Sequence, residues 1–198
     1  MIIAHHLIWT AYGWWLPNDP RGSSSTEIVV QRIAELGPHH YGRKPVQPPS
    51  QEIRDFYTRA QFALVHDLLQ FNEVDVAALA CSFAQTIETH RYTCYACAIM
   101  PDHIHLVIRK HRDHAEMMIE KFQEESREEM VRAKRRAGDH PVWGGPGWKV
   151  FLDTIQAVER AIEYVRQNPV KIGRPIQLWD FVTPYDAWLP GRHPQRPH

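Results

Sequence analysis

Two periods of apolar residues alternate along the 198-residue chain. "IIAHHLIWTAYG" mixes β-branched and aromatic residues and ends on Gly13, which predicts a first strand. "WWLPNDPRGSSS" then interrupts it with Pro17, Asn18, Pro20, Gly22 and a serine run, so a loop follows. "EIVVQRIAEL" predicts a short helix closed by Gly37 and Pro38, and "GPHHYGRKPVQPPS" is a proline-rich connection. Within 50–69, Ile53, Phe56, Tyr57, Ala60 and Leu64 recur at helical spacing behind Ser50 as a cap. Asn72 caps a second helix whose apolar side holds Val76, Leu79, Phe83 and Ile87. "RYTCYACAIM" and "HIHLVIRK" read as two strands joined by a tight Pro101-Asp102 hairpin. A long helix is opened by Asp113 as its cap and ended by Gly138, and "VWGGPGWKVFLD" supplies a glycine-rich turn and a fourth strand. "TIQAVERAIEYVRQ" is a last helix, capped by Thr154 and stopped at Asn168-Pro169.

The order strand, helices, strand, strand, helix, strand, helix predicts an α+β fold. It is a ferredoxin-like (RRM-like) antiparallel sheet with helices on one face and an insertion after the first strand. The other face stays free for a ligand or another helix. The expected organisation is one domain over residues 1–198, with an inserted segment at about 23–72. A tail at about 172–198, rich in Pro and Trp, wraps the surface. No internal repeat is visible.

Hydrophobic residues make up 43% of the chain and charged ones 23%, an ordinary balance for a soluble globular protein. Basic and acidic side chains are equal at 23 each, but residues 1–130 hold 12 basic and 17 acidic while 131–198 hold 11 and 6. That basic C-terminal third suits a polyanion, or is simply a solvated face. Cys94 and Cys97 lie three apart on a strand, where side chains face opposite ways, so they are expected as buried thiols rather than shared metal ligands. Cys81 is the third cysteine and no second CxxC exists, so the cysteine usage fits a reducing compartment. No basic start leads a long apolar run, and no stretch approaches the roughly 18 apolar residues of a membrane helix. The chain is expected to be cytoplasmic, away from membranes.

The chemistry starts at "IMPDHIHLVI". Alternation sends Ile104, Leu106 and Ile108 one way and His103, His105 and Val107 the other. Two imidazoles on one face can reach a single divalent ion, or can be half-exposed side chains bonded to neighbours. In the last helix Val158, Ile162 and Val165 form the apolar stripe, while Tyr164 and Asn168, four apart, share another face. Taken singly, Tyr164 can be packing and Asn168 a C-terminal cap. His111 and His114 lack a third ligand nearby and read as surface histidines, as do His5, His6, His39 and His40.

Together these segments resemble the single-tyrosine HUH transposases, of the insertion sequence 200 and REP-associated types. His103-Ile104-His105 matches the histidine–hydrophobic–histidine motif, and "YVRQNPVKIG" from Tyr164 to Gly173 resembles the family's tyrosine helix. "AHHLIWTAYGWWLPNDPRG" is similar to the opening strand and loop of one branch. The resemblance covers the first strand and most of residues 75–185; the long segment between Ser23 and Asn72 departs from the compact members. It implies that His103, His105 and the Asn168 carboxamide hold one Mg²⁺ or Mn²⁺. Two imidazoles suit Mn²⁺ better on softness grounds. It also implies that Tyr164 attacks a DNA phosphate, leaving a 5′-phosphotyrosine and a free 3′-OH. A phenol of pKa about 10 is mostly protonated at neutral pH, so the site must favour its anion.

Such chemistry implies single-stranded DNA, hairpin-bearing at element ends, and a monomer or homodimer with the tyrosine helix in cis or in trans. Candidate DNA contacts are Trp14, Trp15 and Arg21 in the first loop, Arg132, Lys134, Arg135 and Arg136 after the long helix, and Lys171 and Arg174 beyond the tyrosine. Two other functions fit the same residues. One is a domesticated protein that binds hairpin DNA without cutting; the other is a metal-dependent phosphodiesterase that uses water.

Overall fold

A computed structural model of the chain describes residues 1–23, 25–42 and 44–191. Four strands, β1 (Ala4–Thr10), β2 (Cys94–Ile99), β3 (His103–Arg109) and β4 (Trp148–Leu152), form one antiparallel sheet in the order β2-β3-β1-β4. Among the described residues five helices accompany them: α1 (Gln31–Ala34), α2 (Ser50–Ala60), α3 (Glu73–His90), α4 (Ala115–Arg132) and α5 (Ile155–Lys171). With α3 between β1 and β2, and α4 between β3 and β4, the core is the ferredoxin-like βαββαβ unit.

Strand alternation divides the sheet into two apolar faces. Leu7, Trp9, Ile104, Leu106 and Ile108 meet Leu79, Phe83, Met118 and Phe122 of α3 and α4. On the reverse face Ala96, Ala98 and Val107 meet Val158, Ala161 and Val165 of α5. This reverse face is thus covered at its β2–β3 side by the last helix and open toward β1 and β4.

Capping follows the sequence at two helices. The Asn72 side chain accepts from Val74 and Asp75 backbone N–H groups while the Asp75 carboxylate accepts from Asn72 N–H, a full capping box. Thr154 Oγ1 accepts from Ala157 N–H at 3.1 Å.

Four local expectations change. The helix expected from "EIVVQRIAEL" is only the four residues of α1. Helix α2 stops at Ala60, and Pro49 stands at its cap with Ser50 already helical. Asp113 is not the cap of α4: His114 takes that position, and the Asp113 carboxylate instead accepts from Lys121 and Tyr92, each at 2.7 Å. Finally, α5 does not stop at Asn168-Pro169 but runs on to Lys171 with Pro169 inside it. The proline removes one donor near the helix end, while Val165, Asn168 and Pro169 are buried, so packing outweighs a single lost hydrogen bond.

Cys94 and Cys97 are buried thiols as expected, but they do not face opposite ways. A β-bulge between Cys94 and Ala96 resets the alternation of β2, so Cys94 and Cys97 both enter the core beneath α3 and α4. Burial pushes both thiols up, Cys94 to about 12, and all three cysteines are free.

The segment after β1 builds a small satellite core. Phe56, Tyr57 and Ala60 of α2 pack with Trp14, Leu16, Leu36, Ile53 and Leu68. The tail does wrap the sheet. Trp179, Phe181 and Val182 pack on the α3–α4 core and Tyr185, Trp188 and Leu189 on the α5 core. Residues 192–198 of the expected tail lie outside the described residues. Among the described residues no helix is long and apolar enough to cross a membrane.

Candidate active site

The open half of the reverse face is where the chemistry gathers. Register places Thr10 opposite His103, Ile8 opposite His105 and His6 opposite Val107, so His6, Ile8 and Thr10 share a face with His103 and His105. Helix α5 docks beside them by its Val158, Ala161 and Val165 stripe, and its next face carries Tyr164 and Asn168. All six polar or aromatic groups His6, His103, His105, Tyr164, Asn168 and Lys171 line one cleft of about 730 Å³. Trp15, Ile8, Trp148 and Val150 give its walls an apolar character.

Distances inside the cleft are short. Ring centroids of His103 and His105 are 4.8 Å apart, and the Tyr164 ring lies 5.6 Å from His105 and 5.9 Å from His6. The tyrosine therefore approaches His105 and His6 in its own chain. Tyr164 remains 44% exposed, whereas His105 and Asn168 are buried. Lys171 Nζ sits 4.0 Å from the Tyr164 ring centroid and 3.4 Å from Asn168 Oδ1, while Asn168 Nδ2 donates to the Tyr164 carbonyl at 3.1 Å.

Each histidine of the pair has its Nδ1 engaged. His103 Nδ1 lies 2.7 Å from Asp102 Oδ1, and His105 Nδ1 lies 2.9 Å from His6 Nε2. Among the described residues neither Nε2 has a hydrogen-bond partner, which is the usual disposition of a histidine oriented for a metal. Burial drives His105 well below the ordinary imidazole range, with His103 and His6 adding to the effect, and burial alone takes His6 down to about 4. Both rings are therefore neutral near pH 7. Burial pushes Asp102 upward, but its bond and electrostatic attraction to His103, with Arg21 nearby, together outweigh this and leave the carboxyl below its usual value.

Among the described residues no three His, Cys, Asp or Glu side chains gather as a metal cluster. Two imidazole nitrogens and a carboxamide oxygen remain as a donor set. Their orienting bonds and mixed N,O character fit a divalent ion such as Mn²⁺ or Mg²⁺.

The other candidate residues divide by environment. Trp15 and Lys171 line the cleft. Trp14 is engaged internally: its indole donates to the Leu69 carbonyl at 2.7 Å and its ring packs on Tyr57. Arg21 grips the fully buried Asp19 with two bonds, at 3.0 and 2.7 Å, and lays its guanidinium 3.9 Å from the Trp15 ring centroid. Arg135 and Arg136 both pair with buried Asp75, at 2.8 and 3.0 Å. Arg132 is exposed and paired with Glu129 one turn away, Lys134 is exposed in a left-handed turn, and Arg174 is half-buried just past α5.

His6 is the residue that sequence reasoning missed. It is only 7% exposed, and His5 on the opposite face is 6% exposed, so neither is a surface histidine. The available signal was parity, because His6 alternates in step with Ile8 and Thr10. Its meaning depends on the pairing of β1 with β3.

No protein-family model matches the chain, and no curated protein matches it. Among solved structures, one of a REP-associated tyrosine transposase bound to a REP hairpin aligns with 87% of this chain and 70% of its own, at 10% identity and a TM-score of 0.46. A candidate transposase from Deinococcus radiodurans aligns with 88% of this chain and 93% of its own, at 11% identity and a TM-score of 0.39.

Proposed function

We propose that this protein nicks and rejoins single-stranded DNA through a tyrosine nucleophile, in the manner of the single-tyrosine transposases its motifs resemble. One observation carries the reading. A strand histidine pair and, some 60 residues later, a helical tyrosine and asparagine line the same cleft.

His103 Nε2, His105 Nε2 and Asn168 Oδ1 would hold the divalent ion. When bound, such an ion supplies a Lewis acid for a non-bridging oxygen of the scissile phosphate. Tyr164, exposed on the rim, forms the new O–P bond as its phenolic proton leaves. The bond to the 3′-oxygen breaks, that oxygen takes up a proton, and the 5′-phosphate stays on the tyrosine. The phosphodiester energy is conserved in that linkage, so rejoining needs no nucleotide cofactor. Lys171 places a cation in the cleft that complements the phosphate, and Asn168 and Lys171 are held one and two turns beyond the nucleophile. The apolar walls, with Trp15 and Trp148, suit unpaired bases rather than a closed duplex. Single-stranded DNA is the substrate class this supports, and the family resemblance implies that it bears hairpins.

Incubation of hairpin-bearing single-stranded DNA with Mn²⁺ is expected to give a covalent protein–DNA adduct with the wild type and none with Tyr164→Phe. Cleavage without an adduct, unchanged in Tyr164→Phe, would assign the reaction to water. Tight binding with no product would assign a DNA-binding role without cutting.

A further inference from the structure

His6 has no part in the motifs above, yet it makes the closest polar contact to His105. The two rings belong to neighbouring strands and sit diagonally across the register, His6 opposite Val107 and Ile8 opposite His105. Their centroids are 5.1 Å apart, tilted by 37°, and His6 Nε2 lies 2.9 Å from His105 Nδ1. Both rings are buried, and they come from β1 and β3 at the centre of the sheet.

One hydrogen serves this N···N bond, so one ring donates and the other accepts. If His6 donates, His105 carries its own hydrogen on Nε2 and turns an unpartnered N–H toward the cleft. If His105 donates, its Nε2 presents a lone pair there. The second arrangement repeats what Asp102 does for His103, whose Nδ1 faces a carboxylate oxygen at 2.7 Å and whose Nε2 is likewise free.

We infer that His6 is a positioning residue: its Nε2 accepts from His105 Nδ1–H and presets the tautomer in which both strand histidines turn bare Nε2 atoms to the cleft. The inference rests on the divalent-ion reading of that cleft. It adds a fourth side chain, supplied by β1, on which the site's donor set depends. It also gives a reason for β1 to keep a polar side chain buried between Ala4 and Ile8.

The test uses the full chain and Mn²⁺ alone, with binding followed by electron paramagnetic resonance of the free ion and folding by circular dichroism. His6→Gln can place an amide oxygen near the acceptor position, whereas His6→Leu cannot accept. His6→Leu is expected to bind Mn²⁺ about 10–100-fold more weakly than wild type, with His6→Gln within about threefold. Equal Mn²⁺ affinity for His6→Leu and wild type, with binding lost in His103→Ala, overturns the role of His6 and leaves the site intact. Wild-type affinity in His103→Ala overturns the underlying metal reading itself. Should His6→Leu not fold, long-range ¹H–¹⁵N spectra of the metal-free wild type decide the matter. A His105 protonated on Nδ1 supports the inference, and one protonated on Nε2 overturns it.

Discussion

At the scale of single residues, burying an imidazole makes its cation unfavourable, and His6 shows the consequence for stability. Its folded pKa is about 4 because burial removes the solvent that would stabilise the charge, against an ordinary value of 6.5. The unfolded chain therefore binds a proton more readily than the folded one between those two values. Stability is fully present above pH 6.5, falls as pH drops through the window, and levels off below about 4. The loss from this group is on the order of 3 kcal/mol. Urea unfolding at pH 7 and pH 5 checks it: the wild type should lose stability over that interval, and His6→Gln should lose less. A second residue-scale prediction concerns Lys171, whose ammonium lies over the Tyr164 ring. Lys171→Ala should weaken binding of single-stranded DNA and lower the slope of log affinity against log salt by about one, measured by fluorescence anisotropy.

Among the elements, the joint between α3 and the chain after α4 explains where two of the basic residues went. Asp75 is fully buried, completes the capping box of α3, and takes both Arg135 and Arg136. Three jobs on one carboxylate make its removal costly, since two guanidinium groups and one backbone N–H lose their partner together. Asp75→Ala should lower unfolding free energy by about 3 kcal/mol. Arg136→Ala should cost less and leave the affinity for single-stranded DNA near that of wild type, which anisotropy and denaturation separate. Features set by one element's own sequence were legible in advance. Alternation put Ile104, Leu106 and Ile108 into one core and His103 and His105 on the other face, and Asn72 and Thr154 announced their helices. Features set by a neighbour were not. The bulge that turns Cys94 and Cys97 to the same side, the pairing that places His6 against His105, and the packing that carries α5 past Pro169 all need a second segment. The same holds for "RAKRR", whose charges read as a free basic run until Asp75, some 60 residues away, meets them.

At the scale of the molecule, a four-stranded open sheet leaves two edges, and this chain treats them differently. The β2 edge is covered by the tail. Gln177 bonds both Ile99 N–H and Ile99 C=O, at 2.8 and 2.9 Å, and Thr183 N–H donates to Cys94 C=O at 2.8 Å. Between and beyond these anchors Trp179, Phe181 and Val182 seal one core and Tyr185, Trp188 and Leu189 the other. The β4 edge lies beside the cleft and keeps Trp148, Val150 and Phe151 substantially exposed. Covering β2 therefore leaves β4 as the more exposed edge of the sheet. A chain ending at Arg174 would strip the ladder groups of β2 and expose apolar surface on both cores at once. It should lose several kcal/mol, because truncating even one buried Trp or Phe costs about 3–5 kcal/mol. It should also self-associate through the uncovered strand. Gln177→Ala, which removes only the two bonds at Ile99, should cost about 1–2 kcal/mol and remain as dispersed as the full chain. Light scattering with urea unfolding of the three proteins separates the contributions. If the truncated chain matches the full chain in both measurements, the tail has no part in closing that edge.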